Sequence, residues 1–222
     1  MAVFDPSRCS LVELCDQTPV WRGNLPINKQ GEFAYHEMAM ALDIEAGTAL
    51  VDVSLIDNIK GAERDQWLVE LKAYGVSVSD FPGGTNIPPQ FNQPNWEAAK
   101  LRGTGVHLRH GVAPGHLVWW QIEGEDNPST LGPDKQSYNF IGLLEFLGVL
   151  RQGHGLFLYF HCMNGTDRTG AVAAAYGMRY MGMDLDAAMK FAASVPDAGV
   201  MSDPYKQLVA GYARWLEHNP PT

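Results

Sequence analysis

The sequence predicts an α/β fold with a central, mostly parallel sheet flanked by helices. Short apolar segments rich in β-branched residues alternate with longer segments whose apolar residues recur at helical spacing. In addition, the apolar segment 156–160 passes through a short glycine-containing loop into an alanine-rich helical pattern. Strands and helices that alternate in this way favour one sheet with helices packed on its faces.

Four segments have the composition of buried strands. They cover residues 48–55, 76–81, 117–122 and 156–160. The first and the last are nearly continuous apolar runs, which is typical of strands covered on both faces. Pro82 and the two glycines after it are expected to end the second strand.

Helical patterns lie between and after these strands. Apolar residues recur three and four positions apart in segments 33–42, 62–74, 136–152, 169–181, 184–194 and 204–218. Gly75, directly after the second pattern, is typical of a residue that ends a helix.

The chain is expected to form one domain over residues 1–222, a length sufficient to bury a substantial core. Residues 83–116 are rich in Pro, Gly, Asn and Gln, and we interpret them as an insertion that decorates this core. Within the insertion, a short helix is predicted over 96–101.

Composition excludes several classes of partner. The formal net charge of −9 argues against a nucleic-acid groove or an anionic membrane surface as the partner. The N-terminus lacks a basic region followed by an apolar one, and no apolar stretch reaches membrane-spanning length. The three cysteines, Cys9, Cys15 and Cys162, show no metal-like clustering. We therefore expect a soluble cytoplasmic protein without a metal, although a non-classical secretion signal would leave no mark.

The segment from His161 to Gly170 has the residues of a reactive site. A cysteine acts as a nucleophile when it is a thiolate, and the N–H groups and dipole at a helix N-terminus stabilise an anion there. Gly165 and Gly170 let the backbone turn so that successive amides face inward, and Arg168 offers a planar fork for two oxygens. The sequence thus predicts Cys162 as a nucleophile.

The residues after the cysteine are predicted to bind a phosphate-sized anion. This loop comprises Met163, Asn164, Gly165, Thr166, Asp167 and Arg168. The hydroxyl of Thr169 is placed to stabilise the thiolate when the phosphate departs. We expect His161 to orient the loop through backbone hydrogen bonds rather than to act as a base.

His161-Cys162 and Arg168-Thr169, with five residues between Cys162 and Arg168, resemble the signature of the cysteine-dependent protein tyrosine phosphatase superfamily. Outside this signature, residues 21–26 resemble the opening segment of its dual-specificity and phytase-like members. Val51-Asp52-Val53, followed by Glu63-Arg64, resembles a second segment of these members. Arg22, in the opening segment, either supports the active-site loops or lies at the surface.

The resemblance implies a protein tyrosine phosphatase-like fold and an enzyme that hydrolyses a phosphomonoester through a phosphocysteine intermediate. Cys162 would attack the phosphorus, Arg168 would bind the phosphate, and an upstream Asp would protonate the leaving oxygen. No cofactor is implied. The expected substrate is a protein carrying phosphotyrosine, or one hydrolysed with dual specificity.

Other functions stay open. The loop from Asn164 to Thr169 is similar to that of myotubularin-like lipid phosphatases, so a phosphoinositide or inositol phosphate is an alternative substrate. Met163 and Thr166, however, replace lysines that such enzymes often carry. An inactive phosphate-binding module is a second alternative, disfavoured by the intact Cys, Arg and Thr. A rhodanese or an arsenate reductase fits neither the chain length nor the Arg-Thr-Gly continuation.

The general acid has two principal candidates. Asp126 follows the predicted strand 117–122, where the resemblance places the acid, although Glu123, Glu125 and Asp134 compete with it. Asp167 lies inside the loop, where an ionised carboxylate would repel phosphate unless it were protonated or turned away. Its other role is structural, as an acceptor for neighbouring N–H groups.

Overall fold

The computed structural model describes residues 3–56, 62–80, 101–103, 105–122 and 133–220, without the side chains of Ala62 and of 133–140. Asp126, Glu123, Glu125 and nearly all of the helix predicted over 96–101 lie outside these residues. The side chain of Asp134 also lies outside what is described.

Strands β1 to β7 form a central sheet and a small hairpin. They are Ser10–Cys15, Thr18–Gly23, Ala49–Ser54, Val106–Leu108, Gly111–Ala113, Gly115–Trp119 and Leu156–His161. The central sheet has the order β1-β2-β7-β3-β6, in which β1 is antiparallel to β2 and the other pairs are parallel. The predicted central, mostly parallel sheet is thus confirmed. Strands β4 and β5 form the separate antiparallel hairpin, within the segment interpreted as an insertion.

Helices α1 to α6 lie close to the helical patterns of the sequence. They are Tyr35–Ala41, Ala62–Ala73, Pro133–Leu150, Asp167–Tyr180, Leu185–Ala192 and Asp203–His218. Helix α4 begins at Asp167, two residues before the predicted start, so Arg168 and Thr169 belong to its first turn. None of the helices in the described ranges combines the length and apolarity that crossing a membrane requires.

The prediction of a strand over 76–81 was wrong for residues 76–80, the part of it that the structure describes. Residues Val78–Asp80 form a 3₁₀ turn instead. The Asp80 carboxylate accepts hydrogen bonds from the Ser77 amide at 2.7 Å and from its hydroxyl at 2.9 Å, which closes the chain locally. Such side chain–backbone bonds compete with pairing in a sheet.

The two faces of the sheet bury different sets of strand residues. Val51, Val53 and Leu158 belong to a core cluster with residues of α3 to α6. Leu50 and Tyr159 alternate with them and pack on the opposite face, beside α1. Helix α2 packs near β6 on that same face, where the Trp67 and Trp119 rings lie 4.6 Å apart. Coverage on both faces explains the continuous apolar runs of the strands.

The carboxyl ends of the parallel strands meet at one edge of the sheet. In the pairing register Gly23 lies opposite His161, His161 opposite Ser54, and Ser54 opposite Trp119. The chain leaves β7 at this edge and enters α4 after a loop of five residues, from Cys162 to Thr166. The reactive segment therefore lies where open α/β sheets usually place their sites.

Candidate active site

The loop between β7 and α4 has its peptide carbonyls turned outward. Three consecutive carbonyls accept hydrogen bonds from groups outside the loop: Met163 from the Leu25 amide (3.3 Å), Asn164 from Arg8 Nη1 (3.2 Å) and Gly165 from Arg22 Nη2 (3.3 Å). In a trans peptide the N–H points opposite to the carbonyl. These contacts therefore turn the N–H groups of the loop toward its interior, as an anion-binding nest requires.

The conformation of this loop requires a glycine at position 165. Its φ of +74° lies in the left-handed region, which side chains with a Cβ rarely adopt. A Cβ at this position would also lie 3.1 Å from the carbonyl carbon and oxygen of Gly23 and 3.2 Å from the amide of Asn24. The loop thus packs backbone against backbone on the end of β2.

Cys162 is the first residue of the loop, directly after β7, and its side chain is buried. Burial on its own would raise the pKa of the thiol. The charge of Arg168, the Thr169 hydroxyl and the amides of Thr169 and Gly165 outweigh burial and lower this pKa. The arrangement favours a thiolate, the reactive form of cysteine.

Arg168 is held by the carboxylate of Glu63, which lies on α2, on the face of the sheet opposite to α4. Its Nη1 and Nη2 bind Oε2 and Oε1 of Glu63 at 2.9 and 2.5 Å, and Nη1 also approaches the Leu55 carbonyl at 3.4 Å. Burial would lower the pKa of the guanidinium, but the hydrogen bonds to Glu63 raise it, so the arginine stays charged. Paired bonds of this kind fix the plane of the guanidinium.

Arg22 belongs to the support of the loop rather than to the surface. Only 1% of it is exposed, and its Nη1 donates to the Ala192 carbonyl at 2.8 Å while Nη2 reaches Gly165. Burial lowers the pKa of its guanidinium to about 10, although the neighbouring Cys162 partly opposes this shift. Arg22 therefore joins β2, the loop and the end of α5.

Asp167 and Thr166 bind the segment that precedes α6. Asp167 Oδ1 accepts a hydrogen bond from the Ser202 amide at 2.6 Å. The hydroxyl of Thr166 donates to the Ala198 carbonyl. The carboxylate of Asp167 is thus engaged as an acceptor, the structural role that the sequence left open for it.

Thr169 and His161 contact the loop from its two ends. Thr169 Oγ1 lies 3.3 Å from the Gly23 carbonyl and within hydrogen-bonding reach of the Cys162 sulfur. His161 Nδ1 lies 3.4 Å from the carbonyl of Cys162, a backbone contact of the expected kind.

Two partners of His161 were not predicted from the sequence. Its Nε2 lies 3.0 Å from Asp52 Oδ1 and 3.6 Å from Glu70 Oε1, and none of the three side chains is exposed. One donor atom from each lies within 4.8 Å of the others, so the group has the residue types of a metal site. Asp52 within an apolar strand was the available signal, because buried carboxylates require a partner.

Comparison with known proteins shows the fold. No family model matches the chain, and no curated protein matches its sequence. Among solved structures, a glycine-to-alanine mutant form of Tk-PTP, a protein tyrosine phosphatase, is similar with a TM-score of 0.54 and 13% sequence identity. The likeness covers 96% of this chain and 99% of that chain. The chain has a protein tyrosine phosphatase-like fold.

Proposed function

We propose that the protein is a cysteine-dependent phosphatase that hydrolyses a phosphomonoester, with phosphotyrosine or a dual-specificity protein substrate. The observation that carries this proposal is the buried Cys162 sulfur, whose pKa is lowered by Arg168, the Thr169 hydroxyl and inward amides. An anion site around an activated nucleophile is the arrangement that phosphoryl transfer needs.

In the first step the Cys162 thiolate attacks phosphorus, so that an S–P bond forms as the P–O bond to the leaving group breaks. Arg168 and the loop amides hold the remaining phosphate oxygens, and an acid donates its proton to the leaving oxygen. In the second step water attacks phosphorus, the carboxylate left by the acid in the first step takes a proton from this water, and the S–P bond breaks. The hydroxyl of Thr169 then stabilises the departing thiolate.

We propose Asp126 as the general acid. Asp167 is less suited, since its Oδ1 already accepts the Ser202 amide and Asp167 supports the segment before α6. Asp126 comes after β6 in the sequence, and β6 ends beside Ser54 at the edge where the chain leaves β7 for Cys162. In a pH–rate comparison, Asp126→Asn should lose the basic limb, and Asp167→Asn should keep it.

A phosphorylated protein is the substrate class we favour over a phosphoinositide. The two loop positions where lipid phosphatases often carry lysine hold Met163 and Thr166, and Thr166 donates away from the loop to Ala198. The formal charge of −9 is unfavourable for an anionic membrane surface or a nucleic acid. We place the protein in the cytoplasm, because the mechanism requires Cys162 as a free thiol.

The test is turnover of an aryl phosphate, a phosphotyrosyl peptide and phosphoinositide vesicles by the purified protein, without added metal. Cys162→Ser and Arg168→Ala should each abolish turnover, while Cys15→Ser serves as the matched control and should retain it. Faster turnover of the phosphoinositide vesicles than of the phosphotyrosyl peptide would indicate a lipid phosphatase instead. Phosphate binding without turnover would indicate an inactive binding module, and turnover by Cys162→Ser would contradict the proposal.

A further inference from the structure

A buried polar group lies directly behind the phosphate-binding loop. It consists of Asp52 on β3, Glu70 on α2 and His161 at the end of β7, none of them exposed. His161 Nε2 lies 3.0 Å from Asp52 and 3.6 Å from Glu70. Ser54 and Tyr74 adjoin the group, Ser54 beside Glu70 and Tyr74 beside Asp52.

The charges of these three side chains do not balance if both carboxylates are ionised. One imidazolium and two carboxylates leave a net negative charge with no solvent contact, which is strongly unfavourable in a protein interior. A further proton on one carboxyl removes this charge. The distances select Glu70 as its holder, because Asp52 lies closer to the imidazole and makes the stronger ion pair.

The direction of the Glu70 pKa agrees with this assignment. Burial raises the pKa of Glu70, so its carboxyl stays protonated at higher pH than usual. Burial would lower the pKa of His161, but Glu70 and Asp52 together raise it above its ordinary value.

We propose that ionised Asp52, doubly protonated His161 and neutral Glu70 form a positioning group, which orients the phosphate loop from behind and favours the Cys162 thiolate. Its catalytic meaning rests on the proposed function. Asp52 and Glu70 would not touch the substrate, because they act through His161.

Double protonation places an N–H on both sides of the His161 ring. The Nε2 side then forms an ion pair with Asp52 Oδ1, 3.0 Å away, and Nδ1–H donates to the Cys162 carbonyl, 3.4 Å away. The bond from Nδ1 fixes the peptide that joins Cys162 to Met163, whose N–H then points away from His161. A neutral imidazole carries one ring proton and would lose either the ion pair or this bond.

Other titratable groups face this cluster from each neighbouring element. Glu63 and Tyr74 approach from the side of α2, and Tyr159 on β7 stacks on the His161 ring with centroids 5.7 Å apart. Burial raises the pKa of both tyrosines well above the ordinary value, so they stay neutral. Glu63 is paired with Arg168. The negative charge beside the imidazole is therefore that of Asp52.

The test compares Asp52→Asn with Glu70→Gln, which replaces a neutral carboxyl by a neutral amide of the same shape. Two readouts are used: the ¹⁵N shifts of the His161 ring, and the alkylation of Cys162 by iodoacetamide against pH, followed by mass spectrometry of its peptide. In the wild-type protein His161 should be doubly protonated from about pH 6 to 8.

Asp52→Asn should remove the second ring proton within that range. It should also raise the midpoint of Cys162 alkylation by about one pH unit, which is roughly tenfold slower alkylation below the midpoint. Glu70→Gln should keep the doubly protonated ring and alkylate within about twofold of wild type.

Several results would overturn the proposal. They are a neutral His161 in the wild-type protein, unchanged Cys162 alkylation in folded Asp52→Asn, an equal shift in both variants, or stoichiometric zinc in the purified protein by native mass spectrometry. If Asp52→Asn does not fold, the wild-type ring shifts and Glu70→Gln still decide. Because neither readout uses turnover, an inactive protein with these titrations would refute the proposed function alone.

Discussion

The two sides of the loop from Cys162 to Arg168 stabilise charge in opposite ways. We call the side of Cys162 and Arg168 the front, and the side of His161, Asp52 and Glu70 the back. At the front, Cys162 and Arg168 are surrounded by inward amides, and the Glu63 carboxylate that holds the arginine keeps 25% of its side chain exposed. At the back, His161 and its two carboxylate partners are wholly buried. The front thus reaches solvent through Glu63, whereas the back has no solvent contact and must balance its own charges by holding protons.

The largest loss of rate is expected from Gly165→Ala, which disrupts the loop at the front. The new Cβ would meet Gly23 at 3.1 Å in a backbone conformation with φ of +74°, so the loop must shift and its amides turn away from the sulfur. Losing one such donor costs about 10²-fold in rate in comparable sites. Steady-state kinetics and the alkylation rate of Cys162 measure the loss.

Gly155→Ala is the matched control. Its φ is +68°, but no atom lies within 4 Å of the added Cβ, and it precedes β7 at the end opposite to the loop. The variant should lose about 1 kcal/mol of stability through backbone strain while keeping its rate. Equal losses of rate in the two variants would show that strain, and not the loop geometry, lowers activity.

Glu63→Gln should weaken the front more mildly. Arg168 would keep a hydrogen-bonding partner but lose the opposite charge that raises its pKa and fixes its plane. We expect about a tenfold loss in kcat/KM, equivalent to one charge-assisted hydrogen bond of ~1.5 kcal/mol.

The control for this variant is Glu13→Gln, which removes the carboxylate of the ion pair with Arg151 at 2.5 Å. That pair is similarly buried but joins β1 to the end of α3, away from the loop. It should change the melting temperature and leave kcat/KM intact. If both variants lower kcat/KM alike, the role assigned to Glu63 is wrong.

The buried residues at the back should make the free energy of unfolding depend on pH. The pKa of His161 is raised to about 9 from its ordinary 6.5, so its contribution is fully present below pH 6.5 and is lost as the pH rises through about 9. The raised pKa of Glu70 acts in the same direction. Urea unfolding should therefore show the wild-type protein losing about 2 kcal/mol more than Asp52→Asn between these pH values. Parallel profiles would contradict the assignment.

The smallest effect is expected from Asp167→Asn. The amide oxygen can still accept the Ser202 N–H, so the contact with the segment before α6 is preserved. The rate should change by about twofold, less than one neutral hydrogen bond is worth. A loss of the basic limb of the pH–rate profile would instead identify Asp167 as the acid.

The front was predictable from the sequence because its residues are contiguous. A strand, a glycine-containing turn and a helix start follow one another, and this order indicated that amides of the loop face Cys162. The contacts of Arg8, Leu25 and Arg22 with the loop carbonyls come from distant residues and were not predictable in this way. The back was not predictable, because Asp52, Glu70 and His161 come from three separate elements. Their meeting depends on the strand order β7-β3 and on which face of α2 is buried.

Two parts of the fold were not predicted from the sequence, for different reasons. The β1–β2 hairpin has a mixed composition and turns at Asp16 and Gln17, two non-glycine residues with positive φ that no turn pattern indicated. The segment 76–81 has the alternation of a strand, but the side chain of Asp80 closes a local turn in it. Local composition could not decide either outcome.

In the proposed mechanism Cys162 carries the phosphoryl group between the two steps, and trapping the intermediate tests this directly. The purified protein would be mixed with a ³²P-labelled phosphotyrosyl peptide and quenched within milliseconds, and the labelled peptide would be identified by mass spectrometry. We expect label on the peptide that contains Cys162 in the wild-type protein and no label on Cys162→Ser. Turnover with label on another residue, or with no covalent intermediate in the quenched wild-type protein, would contradict it.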